Sequence, residues 1–260
     1  MSNQNKDIYN KYETVYEYSK DSYILNPEKT ILNKIKTLAS NWKMLDIGVG
    51  AGRTTSYFAP FFKEYIGIDY SEAMISICKE KYENLTNARF FISDARKMTT
   101  FDDNTFDFIL FSFNGIDCVD KNERIQILKE IHRIGKENSL FAFSIHNSYN
   151  IPKLMSFQTP KNPLKYIKEF KRYKGVRSRN PSLSNLILFD QTQIIDGDLD
   201  FKAEYLYTKP EFQITQLNEI GFSEIQVYDL KKGKEITNNI IQGKCTDPWI
   251  HFLCKCIKTY

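Results

Sequence analysis

The chain has 260 residues and a mass of 30.6 kDa, with 42% hydrophobic and 26% charged residues, an ordinary globular composition long enough to bury a core without a disulfide or metal staple. No run of about 18 apolar residues occurs, so no membrane-spanning helix is predicted, and the polar start, Met1 to Asp7, does not read as a signal peptide. The net charge of +4 is uneven: residues 161–179 carry eight basic side chains against Glu169 alone, so that segment is +7 and the remainder of the chain −3, which excludes a generally basic nucleic-acid coat. The five cysteines are odd in number. Only Cys254 and Cys256 are close, and a strand would put both on one face, too near for an easy bridge, so a reduced, cytoplasmic protein is expected.

In chain order, Tyr9, Tyr12 and Tyr16 fall on one face of a helix, and Ile31, Leu32, Ile35 and Leu38 repeat that period after Pro27. From Lys43 the texture changes. Short apolar strands are predicted at 44–47, 65–68, 88–92, 106–111 and 140–145, separated by helices that begin near Gly52, Ser71 and Asn122. Such alternation predicts βαβ units and a parallel sheet covered on both faces. After Asn147 it breaks. Residues 148–183 are rich in Pro, Lys and Asn with a basic helix near 164–173, and the runs 185–195 and 199–208 flank Asp196-Gly197-Asp198 as a hairpin. A helix at 210–220, stopped by Gly221, and strands at 224–229 and 249–257 complete the pattern. The expected organisation is an α/β domain of residues 31–147 and 209–260, with 148–208 inserted between its fifth and sixth strands.

The stretch Met44-Leu45-Asp46-Ile47-Gly48-Val49-Gly50-Ala51-Gly52-Arg53 carries the most information. A strand ending in a carboxylate runs into alternating glycines, which let the backbone turn sharply and let a ligand lie against it. A helix starting near Gly52 would point free N–H groups at that ligand. A dinucleotide site prefers a third glycine three places after Gly50. Here that place is Arg53, and the G-x-G-x-G spacing disfavours a nicotinamide oxidoreductase. Asp69 and Asp94 follow the second and third strands, so three carboxylates are predicted along the carboxyl edge of the sheet, where open α/β folds bind ligands.

Residues 46–53, Asp69, Asp94, the strand at 106–111 and the helix at 124–133 resemble class I S-adenosylmethionine-dependent methyltransferases, similar in spacing to the small-molecule branch. The resemblance implies a Rossmann-like, doubly wound, mostly parallel seven-stranded sheet, S-adenosyl-L-methionine as cofactor, and an N-terminal helical flap, residues 1–30, from which Tyr9, Tyr12 or Tyr16 could close on the donor; the alternative is a helix packed on the sheet. Gly48 and Gly50 would contact the methionine part, with Asp46 near its amino group and Arg53 beside the turn. Asp69 would hold the ribose, Tyr70 would line the adenine, and Asp94 with Ala95 would read the adenine edge. Phe111, Ser112 and Phe113 would flank the methionine amine. At Arg133-Ile134-Gly135-Lys136-Glu137-Asn138 the sequence departs from the family's Leu-Lys-Pro-Gly-Gly turn.

The turn after the fourth strand, Phe111-Ser112-Phe113-Asn114-Gly115-Ile116-Asp117, lacks the Pro-Pro-Tyr pattern that the family uses for amino groups on adenine or glutamine, and no Pro-Cys pair points to cytosine C5. An oxygen acceptor, ahead of nitrogen, is expected, and histidine is the first candidate base. Of three histidines, His132 lies in a helix, His251 lies in the last strand away from the ligand edge, and His146 follows the fifth strand at that edge. Asn114, Asp117, Asn147 and Tyr149 are acceptor-site candidates by the same position. The insert is expected to roof the acceptor pocket as a helix-plus-hairpin lid, with Arg172 and Arg177 gripping an anionic small molecule such as a phosphorylated or nucleotide-linked sugar. The alternative for those cations is a solvated helical face. Rival readings are an RNA or protein methyltransferase docking through the basic insert, and a non-catalytic donor-binding scaffold. No metal site and no membrane partner are expected, and nucleic acid is disfavoured.

Overall fold

Nine strands form one sheet in the computed structural model, which describes residues 22–238 and 245–258. The tyrosine-bearing segment with Tyr9, Tyr12 and Tyr16 lies outside them. In chain order the strands are β1 Lys43–Ile47, β2 Glu64–Asp69, β3 Ala88–Ile92, β4 Phe106–Phe111, β5 Gly135–Asn147, β6 Gln191–Ile194, β7 Tyr205–Thr208, β8 Phe222–Asp229 and β9 Trp249–Cys256. The main helices are α1 Asn26–Ile35, α2 Glu72–Lys81, α3 Lys121–Ile134, α4 Tyr166–Arg179 and α5 Pro210–Ile220. Pairing runs β3-β2-β1-β4-β5-β9-β8, parallel from β3 to β5, with β9 antiparallel to both neighbours. This is the predicted Rossmann-like, mostly parallel seven-stranded sheet, to which the insert adds the β6–β7 hairpin.

The strands are apolar because both faces are covered. Leu45, Ile47, Phe106, Ile109, Phe141 and Phe143 pack under α3 and α5, while Met44, Tyr65, Phe108 and Leu110 meet α1 and the turn around Phe58. On α3 the buried stripe reads Arg124, Ile127, Leu128, Ile131, Ile134 at helical spacing, so a charged residue occupies an apolar position. Asp120 caps this helix by accepting from the N–H groups of Asn122 and Glu123. Two expectations change in detail. The helix after the glycine turn is one turn long, Thr55–Phe58, so it brings no long-helix dipole to the site. The departure at 133–138 is absorbed because β5 begins at Gly135 and Asn138 takes a left-handed conformation, φ 62°, where the family uses glycine.

The thirteen-residue β5 outruns β4, whose pairing ends at Phe111↔Phe143. Beyond that point β9 still holds one edge of β5, pairing Trp249 with His146, and β7 takes the edge that β4 leaves, pairing Tyr207 with His146 and Thr208 with Asn147. The insert is therefore sewn into the sheet above the carboxyl end of β4. Its own core gathers Ile151, Met155, Val176, Leu186, Ile194, Tyr205 and Tyr207.

His251, on β9, is 3% exposed, and neither ring nitrogen has a hydrogen-bond partner among the described residues. Burial pushes its pKa down to about 4 from 6.5. Between those values the unfolded chain binds the proton that the folded chain refuses, so this histidine's stability contribution is complete above pH 6.5 and is lost as pH falls toward 4. The loss is expected to approach ~3 kcal/mol. Urea midpoints at about pH 7.5 and 4.5 should differ less in His251→Leu than in the parent chain; equal differences would contradict the assignment.

Candidate functional site

A cavity of about 490 Å³ opens at the carboxyl edge of the sheet, where strand order reverses between β1 and β4. The tips of β1 to β3 contribute Gly48, Gly50, Asp69, Tyr70, Asp94 and Ala95, together with Ile68, Ile92, Ser93 and Met74. The tips of β4 and β5 contribute Phe111, Ser112, Phe113, Asn114 and His146. Trp249 from the start of β9, and Tyr205 and Asp198 from the insert, close the remaining wall.

Gly48, Gly50 and Gly52 all have positive φ, which the turn imposes. At Gly48 an added Cβ would meet the Phe111 ring at 3.0 Å, whereas at Gly50 it would meet nothing within 4 Å. The space above Gly50 is therefore open to a ligand rather than filled by protein. Asp69 spans the turn and its own strand tip: Oδ2 accepts from Gly50 N–H at 3.0 Å and Oδ1 from Ser71 N–H at 2.9 Å. Burial raises its pKa, against the pull of those amides. Asp94 is gripped by the Arg96 guanidinium, Nη2 to Oδ2 at 2.6 Å and Nε to Oδ1 at 3.0 Å. Partial burial works to raise the Asp94 carboxyl, but the Arg96 hydrogen bonds outweigh it and hold the group below its usual range.

On the other side of the crevice, Phe113 and Asn114 both adopt left-handed backbone, φ 54° and 56°, an unfavourable conformation for an aromatic residue and of the kind that clusters at ligand sites. The Asn114 N–H donates to Ser144 Oγ at 2.8 Å, and its side-chain Oδ1 is buried with no partner among the described residues. His146 is 7% exposed. Its ring stacks on Tyr207 with centroids 4.8 Å apart, meets Tyr205 at 5.2 Å and faces the edge of Trp249 at 6.0 Å. Asp117, fully buried, accepts at Oδ2 from the His146 backbone N–H, 2.6 Å, and from Nδ1, 2.9 Å, while Oδ1 binds the equally buried Arg124. With Oδ2 accepting from Nδ1, the imidazole proton sits on Nδ1, and Nε2 accepts a long hydrogen bond from Asn114 Nδ2 at 3.3 Å.

Several predicted site residues do not line the cavity. Asp46 is 1% exposed and accepts from Thr54 Oγ1 and Tyr65 OH, each at 2.6 Å, bracing the floor of the glycine turn; burial pushes its pKa up to about 6. Arg53 lies behind the turn, bonded to Glu28, Ser112 Oγ and the Tyr23 carbonyl and packed between the rings of Tyr23 and Phe113, so it clasps α1 to the tips of β1 and β4. Asn147 donates to the carbonyls of Cys245 and Asp247, and Tyr149 OH bonds Glu211. Asp117 touches His146 rather than the cavity. Arg172 is spent on Glu169 and on the carbonyls of Leu154 and Ser156, and Arg177 lies over the Tyr173 ring. Neither arginine lines the cavity, and the partners of both lie within the insert. Tyr16 lies outside the described residues.

Trp249, Tyr205, Asp198 and Arg124 escaped sequence reasoning. A signal existed for two of them. The last strand runs antiparallel, so its beginning and not its end reaches the ligand edge, and Arg124 stands on an apolar helical stripe. For the insert residues no local signal existed.

Parallel strands ending in a glycine turn, a carboxylate on the next strand and open space above Gly50 define a Rossmann-like fold with an open crevice at its carboxyl edge. Residues 44–138 match the methyltransferase domain family. The matched stretch, which carries the glycine turn, Asp69 and Asp94, is thus similar to methyltransferase domains. It is 28% identical over 125 residues to the uncharacterized methyltransferase YcgJ of Bacillus subtilis, covering 47% of this chain and 48% of that protein. To the ubiquinone/menaquinone biosynthesis C-methyltransferase UbiE of Idiomarina loihiensis it is 27% identical over 121 residues, 44% of this chain and 48% of that one. The chain thus spans about half the length of the curated relatives it matches. A S-adenosylmethionine-dependent methyltransferase from Aquifex aeolicus shares the fold at TM-score 0.56 and 17% identity, covering 94% of this chain and 98% of that one. No helix among the described residues is long and apolar enough to cross a membrane.

Proposed function

We propose that this protein transfers a methyl group from S-adenosylmethionine to a hydroxyl oxygen of a small acceptor, with His146 as general base. The observation that carries the reading is the Asp117–His146 pair, which turns an unprotonated Nε2, held only by a 3.3 Å bond from Asn114 Nδ2 that an acceptor hydroxyl would replace, to the wall of the same cavity that Gly50 and Asp69 line. When bound, the donor supplies an electrophilic sulfonium methyl. The chain's own residues then have three tasks. Gly48 and Gly50 leave room against the backbone, and Asp69 accepts hydrogen bonds from a ribose. Phe113, Tyr205 and Trp249 confine the acceptor, which converts much of the alignment cost into binding. His146 Nε2 takes the hydroxyl proton, and Asp117 steadies the imidazolium that results. Asn114 Oδ1, lacking a partner, is suited to accept from the acceptor molecule.

The anionic acceptor expected from the basic segment has no support in the cavity. Arg96, the cation at its wall among the described residues, is committed to Asp94 and Glu123, and the insert presents Asp198 and Tyr205 instead. A neutral acceptor with an aromatic or apolar body suits these walls better. In this reading residues 148–208 are the acceptor-site lid, and the Arg53–Glu28 clasp beside Tyr23 anchors α1 next to the glycine turn. The burial of all five cysteines fits a reduced, cytoplasmic setting.

Carbon methylation beside a ring hydroxyl is the second reading. It needs the same base, and the aromatic walls and the name of the UbiE relative favour it. Both readings are tested by incubating the protein with isotope-labelled S-adenosylmethionine and cell extract, then identifying labelled products by mass spectrometry and NMR. An O-methyl product is expected, a C-methyl product selects the second reading, and no labelled product refutes both. Asp69→Ala is expected to weaken adenosylhomocysteine binding by ~1–3 kcal/mol, the scale of a lost hydrogen bond to a charged group. Unchanged affinity by calorimetry would remove Asp69 from the ribose.

A further inference from the structure

The basic insert has a surface that the methyl-transfer reading does not use. Of the twelve large apolar side chains exposed among the described residues, seven lie between 164 and 189, led by Leu164 at 88% and Ile167 at 70%. Helix α4 packs inward through Glu169, Arg172, Tyr173 and Val176. At helical spacing its opposite face reads Ile167, Phe170, Lys171 and Lys174, with Leu164 in the turn before it. Lys174 Nζ stands 4.7 Å from the Phe170 ring centroid. Glu169 is consumed by Arg172, so the outward charge is entirely cationic, and Lys161, Lys165, Lys168, Lys171 and Lys174 are exposed without an ion pair among the described residues.

A purely solvated face would carry the lysines without the aliphatic side chains. An RNA surface would use the cations and stack bases on aromatic rings, leaving Leu164 and Ile167 without a role. A lipid surface with anionic headgroups satisfies both classes together: apolar side chains enter the headgroup–acyl boundary while lysines on the same helix meet phosphate. We propose that α4 and the turn before it dock on an anionic lipid surface, with Leu164, Ile167 and Phe170 inserted and Lys168, Lys171 and Lys174 paired to headgroups. The association is peripheral and reversible, since the helix has fourteen residues and lies along the interface rather than across it.

Flotation of the full chain with phosphatidylcholine vesicles, and with vesicles that also contain phosphatidylglycerol, tests this directly. Partitioning onto the anionic vesicles is expected to exceed that onto the neutral ones by roughly tenfold or more and to fall steeply toward ~1 M salt. The charge pair Lys171→Glu/Lys174→Glu and the apolar pair Ile167→Asn/Phe170→Ser are each expected to reduce it by about tenfold at an unchanged thermal midpoint, because all four side chains are exposed. Failure of the unmodified protein to float with anionic vesicles overturns the proposal whatever the variants do. Equal binding to neutral vesicles also overturns it. So does an apolar pair that binds as before: a surface sensitive only to charge is a nucleic-acid or general anion contact, which salt-dependent retention of an oligoribonucleotide would then identify. Self-association removed by the apolar pair would assign the face to a second copy of the chain instead.

Discussion

Replacing His146 with alanine is expected to lower the methyl-transfer rate by ~10²–10⁴-fold, the usual contribution of a positioned general base, while adenosylhomocysteine affinity stays within about threefold because the histidine sits on β5 and not at the β1–β2 tips. The imidazole is fixed on every side: Asp117 holds Nδ1, Tyr207 and Tyr205 cover its faces, and Trp249 abuts it. Nε2, which accepts from Asn114 Nδ2 at 3.3 Å, is the ring nitrogen without a carboxylate partner. Asp117→Asn should act on the same step through His146, since an amide can place its N–H against Nδ1 and select the wrong tautomer. Its rate should therefore fall without a matching rise in the acceptor's KM. Single-turnover rates with labelled donor, alongside calorimetry of the demethylated product, separate the two quantities. A His146→Ala protein with parental turnover would leave the dyad as a structural pair only.

Arg124→Leu carries the largest expected stability effect. Arg124 and Asp117 are both fully buried and bonded to one another, and removing one partner strands a charge in the interior at a cost of ~3–5 kcal/mol. For a chain of this size that corresponds to a melting midpoint lower by roughly 6–20 °C. The double variant Arg124→Leu/Asp117→Asn should recover part of the loss, because no uncompensated carboxylate remains, even though activity stays low. Thermal unfolding of the three variants gives the coupling. An Arg124→Leu midpoint equal to the parent's would show that water or another cation reaches Asp117, against the buried network seen here.

These two experiments fall on residues that the sequence revealed to different degrees. His146 was visible as the residue just past the fifth strand, because a parallel sheet sends every carboxyl end to one edge. Asp117 was visible as part of the turn after β4, but its work was not: it faces the imidazole instead of the cavity, a matter of which way a 3₁₀ turn, Gly115–Asp117, aims its last side chain. Arg124 was hidden by its type, since a lone charged residue on a helical stripe gives no partner's address. Asp46 and Arg53 show the same limit from the other side. Their places in the glycine motif were plain, yet Thr54, Tyr65 and Glu28 claim them, and two of those three lie at least nineteen residues away in the chain.

By itself the sequence determined the order of strands and helices, the glycine turn with its positive φ values, the carboxylate at the second strand tip and the position of the insert, because each follows from periodicity or from backbone sterics within a few residues. Tertiary structure alone decided that β7 would occupy the edge of β5 that β4 vacates, that Trp249 and Tyr205 would wall the cavity, and that the insert's arginines would turn to Glu169, main-chain carbonyls and Tyr173. Those outcomes depend on which of several similar partners lies within reach once the sheet has closed, and reach between segments tens of residues apart leaves no local trace along the chain.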